Sequence, residues 1–483
     1  MNLNDPSLFR QQCFIDGQWV DADSGETMEI INPANGELIG TMPNAGAAET
    51  RRAIEAADSA WPAWRKHTAK ERAGLIRAWH DLILSNADDL AMLMTLEQGK
   101  PLAEAKGEIA YASWFVEWFA EEGKRAYGEV IPETVSDRRI VVIKEPVGVV
   151  AAITPWNFPA AMITRKAGPA LAAGCPIVVK PASATPYTAT ALIELANRAG
   201  IPKGIVNLLS GSARDIGGEM TGNPTVRKLS FTGSTEIGKE LMAQCAGTIK
   251  KVSLELGGNA PLIVFDDCDM EQAIRGTMAS KYRNAGQTCV CANRILVQDG
   301  VYDEFSSRFA QAVGELKVGP GLGEGVTQGP LIDMAAVEKV EEHIQDALDK
   351  GARLVVGGER HSLGGQFFRP TVLADATSDM KISAEETFGP VAPLFRFETE
   401  DEAITMANNT EFGLAAYFFS RDIGRIWRVS EALEYGIVGV NEGIISTEVA
   451  PFGGYKESGL GREGAREGLT EYLETKYLCM GGI

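Results

Sequence analysis

The sequence predicts an α/β fold with doubly wound parallel sheets covered by helices, and three observations support this class. From Val149 to Leu256, short apolar runs (VVAAI, IVVK, VNLL, KLSF and VSLEL) alternate with helical stretches such as AMITRKAGPALAAG. A second set of runs begins near Ala260 and comprises PLIVF, RILVQ, RLVVGG, AAYFFS and GIVGVN. The chain has 483 residues, more than one hydrophobic core usually serves. Strand–helix alternation indicates parallel sheets, and the length indicates two or three domains.

The region before the first sheet is predicted to be mainly helical after a short hairpin. The hairpin is FIDGQWV, in which the Asp16-Gly17 pair suits a tight turn between two strands. Apolar residues then recur at helical spacing at Leu75, Ile76, Trp79, Leu82 and Ile83. This spacing predicts a helix with one face packed on a larger core.

Two segments that read as strands have no neighbouring partner in the alternation. They are RRIVVIKEPVG at 138–148 and the C-terminal TEYLETKYLCMGGI at 470–483. Unpaired strand edges recruit further strands, so we expect these segments to pair with each other or with another subunit. They form a predicted oligomerisation element.

The charge balance and the cysteine content exclude several classes of function. There are 46 Lys and Arg residues against 65 Asp and Glu residues, a formal charge of −19, which repels nucleic acid and anionic membranes. The N-terminus MNLNDPSLFRQQ lacks the layout of a signal peptide, and no apolar run is long enough to span a membrane. Seven cysteines without framework spacing indicate reduced thiols. We therefore expect a cytoplasmic protein.

A glycine-containing turn, FTGSTEIGKE at 231–240, follows a predicted strand and opens a predicted helix. A dinucleotide pyrophosphate can rest on backbone amides at such a turn. Gly233 and Gly238 fit that pattern, but Thr235 occupies the position of the middle glycine. A phosphate loop of the nucleotide-hydrolase type fits less well, because Glu240 stands where a magnesium-binding Ser or Thr is required. An ordinary glycine turn remains an alternative.

Two cysteines, Cys289 and Cys291, flank one valine in YRNAGQTCVCANRILV. A structural zinc site needs four ligands, and no second cysteine pair accompanies them. A cysteine hydrolase needs a histidine base, and none of the four histidines stands in a suitable motif: His67, His80, His343 and His361. The alternative reading is that both thiols fill apolar space. Because a polar, glycine-containing segment precedes Cys289, we expect a tight loop in which nearby dipoles lower the thiol pKa.

Five motifs follow one another along the chain: TPWNFP (154–159), LELGGNAP (254–261), GQTCVCANR (286–294), EETFGP (385–390) and PFGGYKESGLGRE (451–463). Together they resemble the aldehyde dehydrogenase superfamily over essentially the whole chain. The resemblance implies an aldehyde dehydrogenase-like fold. Its Rossmann-type cofactor-binding domain would comprise 1–127 and 147–258, and its α/β catalytic domain 259–447. A small β oligomerisation flap would comprise 128–146 and 466–483 and build a homo-oligomer, dimer or tetramer.

The resemblance also implies roles for three residues of the chemistry. Cys289 corresponds to the nucleophile, Glu255 to the general base, and Asn157 to the side-chain donor of the oxyanion hole. A thiolate adds to an aldehyde carbon, and the developing oxyanion is stabilised by the Asn157 amide and the Cys289 backbone N–H. The resemblance assigns no role to Cys291. Only its spacing from Cys289 indicates a role, as a redox partner of that thiol.

For the cofactor, the resemblance implies binding residues at Thr154, Pro155, Trp156, Lys180, Ser183, Gly233, Ser234, Glu386 and Phe388. NAD-preferring members commonly carry a glutamate three residues beyond the lysine, where this chain has Ser183. A carboxylate would repel a 2′-phosphate, whereas Lys180 and a hydroxyl can hold one. The sequence therefore favours NADP over NAD.

The substrate is expected to be a small aldehyde that carries a distal carboxylate. The resemblance is nearest to bacterial succinate-semialdehyde dehydrogenases, which act in 4-aminobutyrate degradation. Arg165, Arg283 and Ser446 could fix such a carboxylate while the aldehyde faces Cys289. Glutarate semialdehyde, one methylene longer, is the alternative, since a methylene is worth only about 1–3 kcal/mol of discrimination. A thiol hydrolase or acyltransferase is the alternative outside the dehydrogenases.

Overall fold

The structure is a computed structural model that describes residues 2–482, so the predicted domain ends at Met1 and Ile483 lie outside the described residues. The first part of the chain contains β1 (Cys13–Ile15), β2 (Gln18–Val20), β3 (Thr27–Ile31), β4 (Leu38–Pro43), α1 (Ala47–Trp64), α2 (Ala69–Ser85), α3 (Ala87–Gln98), α4 (Leu102–Glu122), β5 (Glu129–Ile131) and β6 (Arg138–Pro146). The middle part contains β7 (Val149–Ile153), α5 (Ala161–Ala173), β8 (Ile177–Lys180), α6 (Tyr187–Arg198), β9 (Val206–Leu208), α7 (Ala213–Gly222), β10 (Val226–Thr232), α8 (Thr235–Ala246) and β11 (Lys251–Glu255). The last part contains β12 (Ala260–Val264), α9 (Met270–Tyr282), β13 (Ala292–Gln298), α10 (Asp299–Gly314), α11 (Met334–Asp349), β14 (Arg353–Val356), β15 (Thr371–Ala374), α12 (Lys381–Ala384), β16 (Val391–Phe397), α13 (Glu400–Asn408), β17 (Phe412–Gly413), β18 (Ala415–Phe419), α14 (Ile423–Ala432), β19 (Ile437–Val440), β20 (Tyr455–Lys456), β21 (Gly459–Leu460), α15 (Ala465–Thr470) and β22 (Leu473–Gly481).

The first sheet has eight strands in the order β2-β1-β9-β8-β7-β10-β11-β21. Its five central strands are the apolar runs expected from the sequence, and they are parallel. The predicted hairpin forms its edge, with Asp16 and Gly17 both at positive φ (48° and 78°), as a tight turn between antiparallel strands requires. In α2, Ile76, Trp79 and Ile83 are fully buried against the core, as their helical spacing indicates.

The second sheet has seven strands in the order β14-β15-β16-β13-β12-β18-β19. The five apolar runs that the sequence analysis identified form β12, β13, β14, β18 and β19. Two further strands, β15 and β16, were not foreseen. β15 is only four residues long, and β16 carries Pro393, a residue that ordinarily argues against a central strand.

The two unpartnered segments pair with each other, which was one of the two expected alternatives. β6 and β22 are antiparallel over nine residue pairs, from Pro146 with Leu473 to Arg138 with Gly481, and β5 extends this small sheet. Its apolar side chains include Val130 and Tyr477, which are 78% and 58% exposed. The fold is thus α/β, as predicted, while the domain boundaries and the oligomerisation role stay predictions. Among residues 2–482, no helix combines the length and apolar character that crossing a membrane requires.

The carboxyl ends of the first sheet face the segment that carries the cysteine pair. β7, β8, β10 and β11 end immediately before or at Thr154, Lys180, Gly233 and Glu255. The cysteine segment links α9 to β13 of the second sheet. Ligands of parallel α/β sheets bind beyond the carboxyl ends of the strands, so this junction is where a site is expected.

Candidate active site

A cavity of about 230 Å³ lies at this junction and collects many of the predicted residues. The predicted residues that line it are Pro155, Trp156, Asn157, Gly233, Ser234, Cys289, Glu386 and Phe388. Thr154, Lys180, Ser183 and Glu255 are not in this lining. Thr154 and Lys180 are adjacent, since the Thr154 N–H donates to the Lys180 carbonyl at 3.1 Å, and Ser183 is exposed in the following turn.

The loop before Cys289 has an unusual backbone that only certain residues tolerate. Asn284, Ala285 and Gly286 all have positive φ (50°, 56° and 75°). A Cβ atom on Gly286 would lie 2.2 Å from the carbonyl oxygen of Gly389, so no larger residue fits there. The nucleophile segment is therefore held directly against the backbone of the EETFGP segment.

The electrostatic surroundings of Cys289 differ from the sequence-based expectation. Burial raises the pKa of the Cys289 thiol to about 12, and the positive charge of Arg165 opposes this only in part. The negative charges of Glu386 and Glu255 raise the pKa further. The expectation that local dipoles lower this pKa is wrong, because desolvation disfavours the thiolate more than the surrounding dipoles favour it.

Cys291 lies in the interior behind the nucleophile loop. It is 1% exposed, and its thiol donates to the Lys281 carbonyl at 3.3 Å. Burial also raises its pKa. Both thiols of the pair are free. Among residues 2–482 there is no group of three or more His, Cys, Asp or Glu side chains that could hold a metal ion.

Asn157 is fixed in the turn between β7 and α5. Its Nδ2 donates to the Gln287 carbonyl at 3.0 Å, two residues before Cys289. Its own carbonyl accepts from Lys100 Nζ at 2.8 Å and from Asn284 Nδ2 at 3.0 Å. Lys100 is in turn paired with the buried Glu108. One amide hydrogen of Asn157 remains for a further acceptor, as the predicted oxyanion donor needs.

Glu255 ends β11 as a buried carboxyl group, and neither of its oxygens has a hydrogen-bond partner within the described chain. Burial raises the pKa of Glu255 well above its ordinary value, and the negative charge of nearby Glu463 adds to the effect. Although Glu463 is also buried, the charges of Lys166 and Arg165 hold its pKa below the ordinary value. The surroundings thus move the pKa values of the two acids in opposite directions, which is how one site can hold both an acid and a base.

A second, narrower cavity adjoins Cys289 and brings together the three residues predicted to bind the substrate. Arg165, Arg283 and Ser446 line it together with Cys289 and Tyr111. Arg165 is 1% exposed, and its Nε lies 2.9 Å from Glu463 Oε2. Arg283 has no carboxylate within ion-pair distance among residues 2–482 and lies over the Phe158 ring at 4.9 Å. Arg283 is therefore the less compensated of the two cations.

The residues expected to bind the dinucleotide cofactor have a geometry and charge that suit such a ligand. Ser234 caps α8, and its hydroxyl accepts from the Ile237 N–H, so the turn directs a helix N-terminus outward. Burial raises the pKa of Glu386 to about 8, and its Oε1 lacks a partner within 2–482. A Cβ atom on Gly257 would lie 3.0 Å from Glu386 Oε2, so glycine leaves this end of the cavity open. Lys239 instead pairs with Glu457 at 2.6 Å on the surface, which does not fit a phosphate loop.

The sequence did not indicate the buried residues that contact the predicted site residues and hold them in place. They include Lys166, Glu463, Lys100, Glu108 and Asn284. A signal existed for Glu463, because Arg165 and Lys166 are adjacent cations in an otherwise apolar helix and two buried cations require an anion.

Comparison with known proteins shows similarity over essentially the full length of the chain. The model of the aldehyde dehydrogenase family matches residues 19–478. The chain is 66% identical to the glutarate-semialdehyde dehydrogenase of Pseudomonas aeruginosa and 66% identical to the NADP(+) succinate-semialdehyde dehydrogenase of Escherichia coli, with 100% of each chain covered in both cases. The crystal structure of succinate-semialdehyde dehydrogenase from Burkholderia pseudomallei superimposes with a TM-score of 0.99 at 62% identity and covers 100% of both chains. By sequence motifs, fold and full-length similarity, the chain belongs to the aldehyde dehydrogenase family.

Proposed function

We propose that this aldehyde dehydrogenase oxidises succinate semialdehyde to succinate with NADP+, with glutarate semialdehyde as the alternative substrate. The observation that carries the proposal is the narrow cavity in which Arg283, Arg165 and Ser446 lie beside Cys289. Guanidinium groups bind carboxylates through charge-assisted hydrogen bonds. A substrate carboxylate at this end leaves its aldehyde carbon near the thiol. Relatives with equal identity carry both substrate names, so the chain length of the aldehyde remains to be measured.

The first chemical step is addition of the Cys289 thiolate to the aldehyde carbon. Because the thiol pKa is about 12, the proton must pass to a base, and the Glu255 carboxylate, whose raised pKa makes it more basic than an ordinary carboxylate, can receive it. The charge of Arg165 favours the thiolate. The oxyanion that forms is held by the Asn157 amide and the Cys289 N–H.

The second half of the reaction releases the acid. Bound NADP+ supplies the hydride acceptor, and a thioester remains on Cys289. Once Glu255 has released the thiol proton to solvent, its carboxylate removes a proton from the water that attacks this thioester, and the Cys289 thiolate leaves as the acid forms. The buried carboxyl of Glu255 suits this role, since neither oxygen has a hydrogen-bond partner among residues 2–482.

The preference for NADP rests on Lys180 and Ser183. Burial lowers the pKa of Lys180 to about 8, and its only polar contact within residues 2–482 is the Pro181 carbonyl at 3.2 Å. A 2′-phosphate would give this ammonium group the anionic partner that it lacks. Ser183 is exposed beside it and presents a hydroxyl rather than a repelling carboxylate.

The test is NADPH formation with succinate semialdehyde, glutarate semialdehyde and butanal, which has four carbons and no carboxylate. We expect a strong preference for the two carboxylated aldehydes and no activity in a Cys289→Ala variant. A Glu255→Gln variant should form NADPH far more slowly than the wild type, because it lacks the base that receives the thiol proton and that activates the water. No NADPH from any aldehyde, or steady turnover by Glu255→Gln at the wild-type rate, would refute the mechanism.

The small sheet of β5, β6 and β22 supports assembly into a homo-oligomer. Its exposed apolar side chains, Val130 and Tyr477 among them, suit burial against a second copy. Light scattering on the purified chain distinguishes dimer from tetramer. A monomer at micromolar concentration would contradict the assembly.

A further inference from the structure

We propose that Asn284 is a positioning residue that sets the spacing of the two oxyanion donors by joining the Asn157 turn to the Cys289 loop. The inference deepens the proposed function and rests on it. Asn284 is 2% exposed and lies outside the lining of both cavities, so it acts through other residues.

The side chain of Asn284 bridges two segments that belong to different sheets. Its Nδ2 donates to the Asn157 carbonyl at 3.0 Å and to the Gln287 carbonyl at 3.3 Å. Asn157 follows β7 of the first sheet, whereas Gln287 precedes β13 of the second. The Asn157 Nδ2 donates to the same Gln287 carbonyl at 3.0 Å. Three residues therefore form one closed hydrogen-bonded triangle directly behind the nucleophile.

The rest of Asn284 is held equally firmly. Its Oδ1 accepts from Gln98 Nε2 at 3.0 Å, and its backbone N–H donates to Glu104 Oε2 at 2.8 Å. Its carbonyl accepts from the backbone N–H and the side-chain Nε2 of Gln287, at 3.0 and 3.1 Å. Gln98 is the last residue of α3 and Glu104 lies in the first turn of α4, so residues of two helices hold the bridge in place. The direction of the side-chain amide is thereby fixed, since Oδ1 faces a donor and Nδ2 faces two acceptors.

The backbone of Asn284 explains why an asparagine suits this position. Its φ of 50° and ψ of 38° are left-handed, a conformation that asparagine adopts more readily than most residues. A side chain that could bridge two carbonyls and tolerate this backbone must be short and must donate two hydrogen bonds. Asparagine meets both requirements, whereas aspartate meets only the first.

The consequence concerns the oxyanion hole. A donor contributes to catalysis when it is fixed where charge develops, and a shift of about 1 Å can cost about 100-fold in rate. In Asn284→Asp, a carboxylate oxygen replaces Nδ2 and faces the carbonyl oxygens of Asn157 and Gln287. Repulsion should separate the two segments and move the Asn157 amide relative to the Cys289 N–H.

The experiment compares a reaction that forms an oxyanion with one that does not. For Asn284→Asp we expect kcat/KM to fall roughly 10- to 100-fold with carboxylated and uncharged aldehydes alike. Alkylation of Cys289 by iodoacetamide, which forms no oxyanion, should keep its rate and pH profile. Asn284→Gly removes the bridging side chain but can keep the left-handed backbone. The same two rates, aldehyde oxidation and alkylation, are measured for this variant, and it replaces Asn284→Asp if that variant does not fold.

The matched control is Asn207→Asp. Asn207 lies in β9, away from the site, and its fully buried side-chain amide donates to the Gly204 carbonyl at 2.7 Å. This variant should lose stability and keep kcat/KM. A wild-type kcat/KM in both Asn284 variants would overturn the proposal. An alkylation rate of Cys289 that falls as much as kcat/KM would also overturn it, because Asn284 would then act on the reactivity of the thiol and not on the oxyanion donors. Absence of aldehyde oxidation in the wild type is a separate outcome, which refutes the proposed function itself.

Discussion

Replacing Arg283 by methionine tests whether its charge anchors the substrate carboxylate. Methionine keeps the apolar stem over Phe158 and removes the guanidinium group, which has no carboxylate partner within residues 2–482. Arg165 cannot take over, because Glu463 already compensates its charge. A charge-assisted hydrogen bond at a half-exposed group contributes about 2–3 kcal/mol, so kcat/KM for succinate semialdehyde should fall about 30- to 150-fold.

The assay is NADPH formation by Arg283→Met with succinate semialdehyde and with butanal. The loss should be confined to the carboxylated aldehyde and should appear mainly in KM, because the carboxylate contact is made equally in the ground and transition states. Arg275→Met, on the exposed face of helix α9, which ends just before Arg283, is the control and should retain wild-type values for both aldehydes. Equal losses on the two aldehydes in Arg283→Met would mean that the arginine serves structure, and the reasoning would be refuted.

Three further predictions concern the thiols and the nucleotide. The rate of Cys289 alkylation in the ligand-free protein should rise about tenfold per pH unit without a plateau below pH about 10, because the thiol pKa is about 12. Arg165→Met should lower this rate at every pH. A plateau of the rate near neutral pH would contradict the argument that desolvation raises the thiol pKa. Ser183→Glu should weaken NADP+ binding at least about tenfold and leave NAD+ binding nearly unchanged, measured by titration calorimetry, since a carboxylate repels the 2′-phosphate; an unchanged ratio would remove Ser183 from nucleotide selection. If oxidation joins Cys289 to Cys291, peroxide inactivation should be reversed by dithiothreitol in the wild type but not in Cys291→Ala, and equal recovery in both would disprove the disulfide.

Local pattern predicted the fold well where the elements are regular. The run that became β7 is apolar on both faces, as a buried parallel strand requires, and the Asp16-Gly17 turn has the backbone that its residues favour. β16 was missed because Pro393 lies within it, and a proline ordinarily marks an edge. Only the surrounding sheet determines that this strand is central.

The sequence offered candidates for the reacting residues but gave no information about their electrostatics. Motifs identified Cys289 and Glu255, but the pKa of each depends on groups far away in sequence. Lys166 and Glu463, which are 297 positions apart, form a buried ion pair. No spacing within one motif could indicate that pairing, nor the degree of burial that raises the pKa of Cys289.

The contact between Gly286 and Gly389 divides the site into two parts that differ in how easily they can change. At the nucleophile and nucleotide end, backbone meets backbone with no room for a Cβ atom. At the end proposed to bind the substrate carboxylate, side chains that include Arg165, Arg283 and Ser446 line the cavity. Under the proposed function, substitutions at that end can alter which aldehyde is accepted without disturbing the backbone that holds the Cys289 loop. One reaction can in this way be retained while its substrate range diversifies.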